Sequence, residues 1–360
     1  MPIETKHFDG WLNEVPNAPD AVMAITGATS GVGYWASVFA IRKNVKALLL
    51  LNRVSPRVQD AFAKLEEEKR ACGSQTEIHT IACDLKDVGS VKQAAERVNA
   101  LCKDLGGLNV LANNAGFGPV ADTRSSAGYD IQMQVNFFSH YLLTKCVFPS
   151  FDLALKNGQE VRICQQSSGI RYQSSKLFLE EKYFAQSAAG TLGGSGVNGS
   201  MERYRQSKIA CVAFALKLSQ MLDVKGYDTT KIKSVCAEPG FAETNLVSNS
   251  VAGNTFFIGQ LSKVVIRVMA LLMKRQSAAD GALPLAHACL AEDVSSGDFF
   301  MPRDENVGTP IKSLSNGRLD HGNPEHEKYG LDAASQHLCW KKSEQAFGSF
   351  FEFAQREAAI

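Results

Sequence analysis

Ala21-Val-Met-Ala-Ile-Thr-Gly-Ala-Thr-Ser-Gly-Val-Gly33 is an apolar run that stops in glycines and opens the alanine-rich amphipathic segment Tyr34-Trp-Ala-Ser-Val-Phe-Ala-Ile41. The pattern predicts a strand, a tight turn and a helix. Gly27, Gly31 and Gly33 admit positive φ and the close approach of another group, and the first N–H groups of the helix point outward with the positive end of its dipole. The turn, with Thr29, Ser30 and Val32 among its glycines, is therefore a seat for a pyrophosphate. A turn that only packs strand against helix uses the same residues, so the rest of the chain has to decide.

Composition permits a nucleotide-binding enzyme. The 360 residues are 45% apolar, enough for one large α/β domain with extensions. Basic and acidic residues number 38 and 37, giving a net charge of +1, and no basic block with interleaved aromatics points to nucleic acid. The nine cysteines form no CxxC and no Cys/His cluster, which suits small core residues in a reducing compartment and no metal site. Residues 1–20 have neither a basic start nor an apolar core, so no signal peptide is expected and the cytoplasm is the default location. This N-terminal extension carries Phe8 and Trp11, which could fold back on the core.

Outward from the opening unit, Val45–Leu51 is a short continuous apolar run, as expected of a strand buried on both faces of a parallel sheet. It ends in Asn52-Arg53, where an acid would select a free ribose 2′-hydroxyl and an arginine suits a 2′-phosphate, so NADP(H) is expected over NAD(H), with Arg57 and Lys43 in reserve. A charged helix over Pro56–Ala71 follows. A third strand, Glu77–Cys83, runs into Asp84-Leu85, where Asp84 either contacts the adenine or caps the next helix. A fourth, Leu108–Ala112, stops in Asn113-Asn114-Ala115-Gly116, small and polar residues that suit a ligand site or a packed turn.

Further on, Asp130–Thr144 is an apolar helix with Asn136 inside it, a placement that costs free energy unless the amide is satisfied. Val161–Cys164 leads into Gln165-Gln166-Ser167-Ser168-Gly169. Tyr204 and Lys208 stand four apart, on one face if helical. A cation about 4 Å from a phenolate contributes about 4 kcal/mol at an effective dielectric of about 20, enough to let the tyrosine exchange protons near neutrality. Ile232–Ala237 runs into Glu238-Pro239-Gly240 and then Thr244, and Asp298–Phe300 is a short seventh strand.

These motifs, in this order from residue 21 to about 300, resemble the short-chain dehydrogenase/reductase family. The stretch Ser207–Phe214 and the sequence from Gly297 to Trp340 look most like its retinol-dehydrogenase-like group, which is similar to the light-dependent protochlorophyllide reductases. The resemblance implies a doubly wound, Rossmann-type parallel sheet of about seven strands over 21–310, with a C-terminal extension at 311–360. It implies that Tyr204 passes the proton, Ser168 (rather than its neighbour Ser167) hydrogen-bonds the substrate oxygen, Lys208 holds the nicotinamide ribose, and Asn136 positions a water leading to Lys208. Gly27, Thr29, Ser30, Gly31, Val32, Gly33, Arg53, Asp84, Leu85, Asn114, Ala115, Gly116, Pro239, Gly240 and Thr244 would hold the nucleotide. The glutamines before Ser167 depart from the family's Asn-Val, and the interval of 35 residues between Ser168 and Tyr204 is longer than usual. Its glycine/serine-rich insertion, 186–200, reads as a mobile loop.

The implied activity is interconversion of a carbonyl and an alcohol on a lipophilic small molecule, with reduction the favoured direction. The alternatives are a C=C reductase of a pigment precursor and a catalytically idle NADP-binding regulatory or partner protein. The apolar stretch 256–275, inside a lid region at 241–280, carries Lys263 and Arg267, which suits a packed lid better than a membrane span and leaves peripheral membrane contact open. His321, His326 and His337 lack metal spacing and read as surface residues.

Overall fold

The structure is a computed structural model, describing residues 3–174, 178–243 and 274–352. Its centre is one nine-stranded sheet in the order β3-β2-β1-β4-β5-β6-β7-β8-β9. The first seven strands are parallel: β1 Val22–Thr26, β2 Ala47–Asn52, β3 Glu77–Ala82, β4 Val110–Asn113, β5 Val161–Gln166, β6 Ile232–Ala237 and β7 Phe299–Pro302. The interior strands are buried along their whole length, which explains their unbroken apolar runs. The order reverses between β1 and β4, and a doubly wound sheet opens its ligand crevice at that point, beyond the carboxyl ends of the strands.

The expected count of about seven strands falls short by two. β8 (Pro310–Ser315) and β9 (Arg318–Leu319) continue the sheet antiparallel to β7. They are joined by Asn316-Gly317 with φ of 50° and 72°, a two-residue hairpin turn whose Asn-Gly signal was there to be read. Polar residues around it had masked the strands, because edge strands are only half buried.

Helices cover both faces. After α1 (Phe8–Leu12), α2 (Gly31–Arg42) and α3 (Pro56–Cys72) pack on one side. On the other lie α4 (Val88–Leu105), the composite helix made of α5 (Ile131–Met133), a π-turn over Gln134–Phe138 and α6 (Ser139–Cys146), then α7 (Phe148–Lys156) and the long α8 (Val197–Val224). α9 (Ala278–Leu290) returns to the first face, and α10 (Pro324–Leu331) and α11 (Ala333–Phe347) close the second. The final helix ends at Phe347 with Gly348 as its C-cap, and beyond it Phe350 and Phe351 fold back onto Trp340 and Phe148.

At the other terminus, Phe8 packs edge-on against Trp35 and Phe39, and Asp280 on α9 accepts hydrogen bonds from the N–H groups of Lys6, His7 and Phe8. All nine cysteines are free, and seven of them are buried, as small core residues would be.

Candidate active site

The glycine turn takes its shape from three glycines. Gly27 (φ 74°) and Gly31 (φ 60°) occupy the left-handed region, and a Cβ on Gly33 would stand 2.3 Å from the Gly27 carbonyl oxygen and 2.4 Å from Asn114 Nδ2. Ser30 occupies the N-cap of α2 without making a side-chain cap, so the helix start keeps its unsatisfied N–H groups. Asn52 is buried and accepts the Ala28 N–H at 2.8 Å; its side chain therefore fixes the turn. Arg53 is exposed and makes no hydrogen bond or ion pair with a described residue. Lys43 drops out of the 2′-phosphate candidates, because it caps the opposite, C-terminal end of α2 and is buried there.

Asp84 does not cap the helix after β3: Asp87 does, accepting from Gly89 N, while Asp84 Oδ1 accepts from Lys86 N within its own turn. The neighbouring Leu85 carbonyl accepts the Ser139 hydroxyl at 2.6 Å. Thr26, the last residue of β1, is a hub that the sequence reading passed over. Its hydroxyl oxygen accepts from Asn114 N and Ala115 N at 3.0 and 2.9 Å and meets His140 Nε2 at 2.9 Å. His140 Nδ1 faces the Asn136 carbonyl, which can only accept, so Nδ1 carries the hydrogen and Thr26 donates to Nε2. Full burial pushes the His140 pKa down to about 3, with Lys208 adding to the effect, and the ring stays neutral.

Asn136 sits in the π-turn, a backbone irregularity that frees a helix from strict i, i+4 bonding and recurs at functional sites. Its amide is fully engaged: Oδ1 accepts from Phe117 N at 3.0 Å, and Nδ2 donates to Phe117 O at 3.2 Å and to Ser207 Oγ at 3.0 Å. Asn136 thereby clamps the loop after β4 to α8. Lys208, also buried, donates to the Gln166 carbonyl at 2.9 Å. A Cβ on Gly116 would come within 3.0 Å of Asn136 Oδ1 and 3.4 Å of Lys208 Nζ, so these three residues converge on one point at the carboxyl edge of the sheet.

Tyr204 lies one helical turn before Lys208 on α8, largely buried, and its phenol makes no hydrogen bond to a described residue. The two serines differ. Ser167 Oγ donates to the Lys208 carbonyl at 2.9 Å, whereas Ser168 is partly exposed and its oxygen accepts only a long bond, 3.4 Å, from Ile170 N. Beside them, both amide groups of Gln165 and Gln166 are buried without a partner among the described residues.

On the remaining wall, Gly240 (φ 58°) follows β6 in a turn so tight that a Cβ would stand 2.5 Å from the Asn306 carbonyl oxygen. Pro239 O accepts from Gln276 Nε2 at 2.9 Å. Thr244 lies outside the described residues, as does nearly all of the 256–275 stretch. The ends of that region meet, since Ala242 pairs with Gln276.

The 186–200 insertion is largely exposed but tethered to the body of the fold at a few points. Leu192 is buried in the core, and the guanidinium of Arg203, fully buried beside Tyr204, donates to the carbonyls of Leu192, Gly194 and Val120. Asp122 accepts from Leu192 N and Gly194 N, and Asp130, which caps α5, lies 3.1 Å from Arg203 Nε. Arg124 pairs with Asp122 at 2.5 Å. Burial works to lower the Arg203 pKa while Asp130 and Asp122 oppose it. Glycines let the loop's carbonyls turn inward onto one cation, which composition alone could not reveal.

The described residues contain no group of side chains able to hold a metal ion. None of their helices is long and apolar enough to cross a membrane. His321 and His337 are exposed, while His326 stacks on Tyr172 with ring centroids 4.0 Å apart.

Comparison with known proteins agrees with this architecture. The family model of short chain dehydrogenases matches residues 21–198. Polyprenol dehydrogenase of Danio rerio is 29% identical over 238 residues, covering 66% of this chain and 67% of its own. A crystal structure of an uncharacterized protein from Mycobacterium paratuberculosis superposes with a TM-score of 0.63 at 20% identity, covering 94% of this chain and 97% of that one. That of 3-ketoacyl-(acyl-carrier-protein) reductase from Brucella melitensis, complexed with NADH, gives 0.51 at 20% identity over 75% and 90%. The chain belongs to the short-chain dehydrogenase/reductase family. It is an oxidoreductase of that family.

Proposed function

We propose that this enzyme reduces a lipophilic aldehyde or ketone, and oxidises the matching alcohol, with NADP(H) as the preferred nucleotide and Tyr204 as the proton carrier. The observation that carries the reading is the convergence of Lys208, Asn136 and Gly116 one helical turn from a largely buried phenol that has no partner among the described residues. The residues present fit the nucleotide: an uncapped helix start for the pyrophosphate and a glycine surface with no room for a side chain. The nicotinamide, when bound, supplies or accepts the hydride.

Tyr204 donates its proton to the developing alkoxide during reduction and takes it back during oxidation. Lys208, held by the Gln166 carbonyl, stabilises the phenolate left behind and offers its remaining hydrogens to the nicotinamide ribose. Ser168, whose hydroxyl hydrogen has no described acceptor, donates to the substrate oxygen, while Ser167 stays engaged with α8. Asn136 holds Phe117 and Ser207 and so keeps the β4 loop in register with Lys208. Arg53, exposed at the end of β2 where no acid stands, is the 2′-phosphate contact. Polyprenol dehydrogenase among the relatives favours a lipid-like alcohol as the substrate class.

A paired fluorescence titration with NADPH and NADH, followed by turnover of farnesal, all-trans-retinal and decanal, tests this. The expected outcome is tighter NADPH binding and measurable reduction of at least one aldehyde. Tyr204→Phe should lower turnover by roughly 10²–10⁴-fold while leaving the NADPH affinity in place. Turnover that survives Tyr204→Phe, or a wild type inert toward all three aldehydes, would sink the proposal. Equal affinity for the two nucleotides would remove Arg53 from it.

A further inference from the structure

β6 is buried throughout and the next residue, Glu238, is a carboxylate with no exposed surface, directly before Pro239-Gly240. Leaving such a charge unpaired would cost several kcal/mol, so its partners define what it does. Arg171, equally buried, donates through Nη1 to Glu238 and through Nη2 to Glu327 Oε1 at 2.7 Å. The same Nη1 lies 3.4 Å from the carbonyl oxygen of Ser168, which also accepts the Arg171 backbone N–H at 3.2 Å. The guanidinium is sandwiched between the Tyr172 and Phe299 rings, at 4.2 and 4.4 Å, and the Tyr172 hydroxyl donates to Glu238. Glu327 Oε1 also accepts the Ser313 hydroxyl at 2.6 Å.

One guanidinium therefore joins the serine turn to the Pro-Gly turn, and its second anchor comes from α10, more than 150 residues further along the chain. We propose that Glu327 is a positioning residue for the reaction: by fixing Arg171 it holds Ser168 at the distance from Pro239-Gly240 that hydride and proton transfer require. The C-terminal stretch is thus part of the active site's scaffold. This rests on the proposed role of Ser168.

Charge-assisted bonds to a planar guanidinium fix its orientation, which a single carboxylate does less completely. Glu327→Ala leaves Arg171 Nη2 and Ser313 Oγ unpaired in a dry site and can fail to fold. Glu327→Gln is the sharper probe. Its amide oxygen can replace Oε1 and keep both bonds without their charge assistance, while its NH₂ replaces Oε2, which has no partner among the described residues.

The experiment is a double-mutant cycle of Glu327→Gln with Ser168→Ala, measured with NADPH and the fastest of farnesal, retinal and decanal. The expected result is a kcat about tenfold lower for Glu327→Gln with the NADPH dissociation constant changed by less than about twofold, and no further loss when the substitution is added to Ser168→Ala. A scaffold role confined to stability would give normal kcat in the folded enzyme, or losses that multiply in the double variant. Either result overturns the inference and leaves the proposed activity standing. A wild type inert toward all three aldehydes, or a Ser168→Ala variant as fast as wild type, defeats the underlying reading and this inference with it.

Discussion

Around the glycine turn the polar groups of the latch are neutral, and each is answered by a neutral partner: buried Thr26 by His140 and two backbone N–H groups, buried Asn52 by Ala28, half-buried Asn114 by the carbonyls of Thr26 and Gly27. Around the serine and the tyrosine the buried groups include clusters of charge. Arg203 and Arg124 face Asp122 and Asp130 on one side, and Arg171 faces Glu238 and Glu327 on the other. Neutral latches cost little to bury and hold the backbone of the turn in one shape. Charged clusters are expensive to break, and they tie together segments with no local reason to meet, which suits the half where the chain's own insertion and C-terminal stretch must be held in place.

The contrast can be broken by experiment, and the largest effect is expected in the charged half. Arg203→Met leaves Asp130 and Asp122 facing each other without their central cation and should cost about 3–5 kcal/mol in urea unfolding. Adding Asp130→Asn should recover part of that loss. A cost below about 1 kcal/mol for the single variant would show that the cluster is not what holds the 186–200 loop.

In the neutral half, Gly33→Ala drives a methyl into the Gly27 carbonyl and the Asn114 amide. Backbone cannot yield as a flexible side chain does, so a loss of up to about 3 kcal/mol in stability is expected, with weakened NADPH binding by fluorescence titration. Unchanged binding would mean that the turn is a packing device and no nucleotide seat.

The smallest effect sharpens the contrast through pH. His140 is held neutral in the folded state, with its pKa depressed to about 3 by burial, while the unfolded chain takes up a proton near the ordinary histidine value of about 6.5. Between those values the unfolded state binds more protons. The His140 contribution is therefore fully favourable above about pH 6.5 and is lost progressively as the pH falls toward 3, by about 2 kcal/mol between pH 7.5 and 5. His140→Gln should show a correspondingly flatter loss of stability over that interval. Equal slopes would show that the ring protonates in place.

The glycine turn, the seven parallel strands, the Tyr204/Lys208 spacing and the tandem serines are local patterns, legible because each is encoded in a few consecutive residues with a strand or helix period around them. Even the Asn316-Gly317 hairpin belongs to this class, although the surrounding polarity hid it. Other parts of the site were only half visible. Glu238, charged at the end of an apolar strand, announces that it must be paired, but its partner Arg171 stands 67 residues before it, and Glu327, the second carboxylate on that arginine, 89 after it, and no spacing rule connects the three. Ser167 and Ser168 are equivalent in sequence and became distinct only when α8 offered one of them the Lys208 carbonyl.

Sequence by itself determined the fold class, the order of the motifs and the chemistry available at the sheet's carboxyl edge, because backbone conformation and side-chain period are set by near neighbours. Tertiary structure alone decided which buried charges meet, which serine keeps a free hydroxyl and why a glycine-rich insertion is tied down. Those outcomes depend on desolvation and on partners brought together from distant parts of the chain, and the cost of burying a charge is defined only once its surroundings exist.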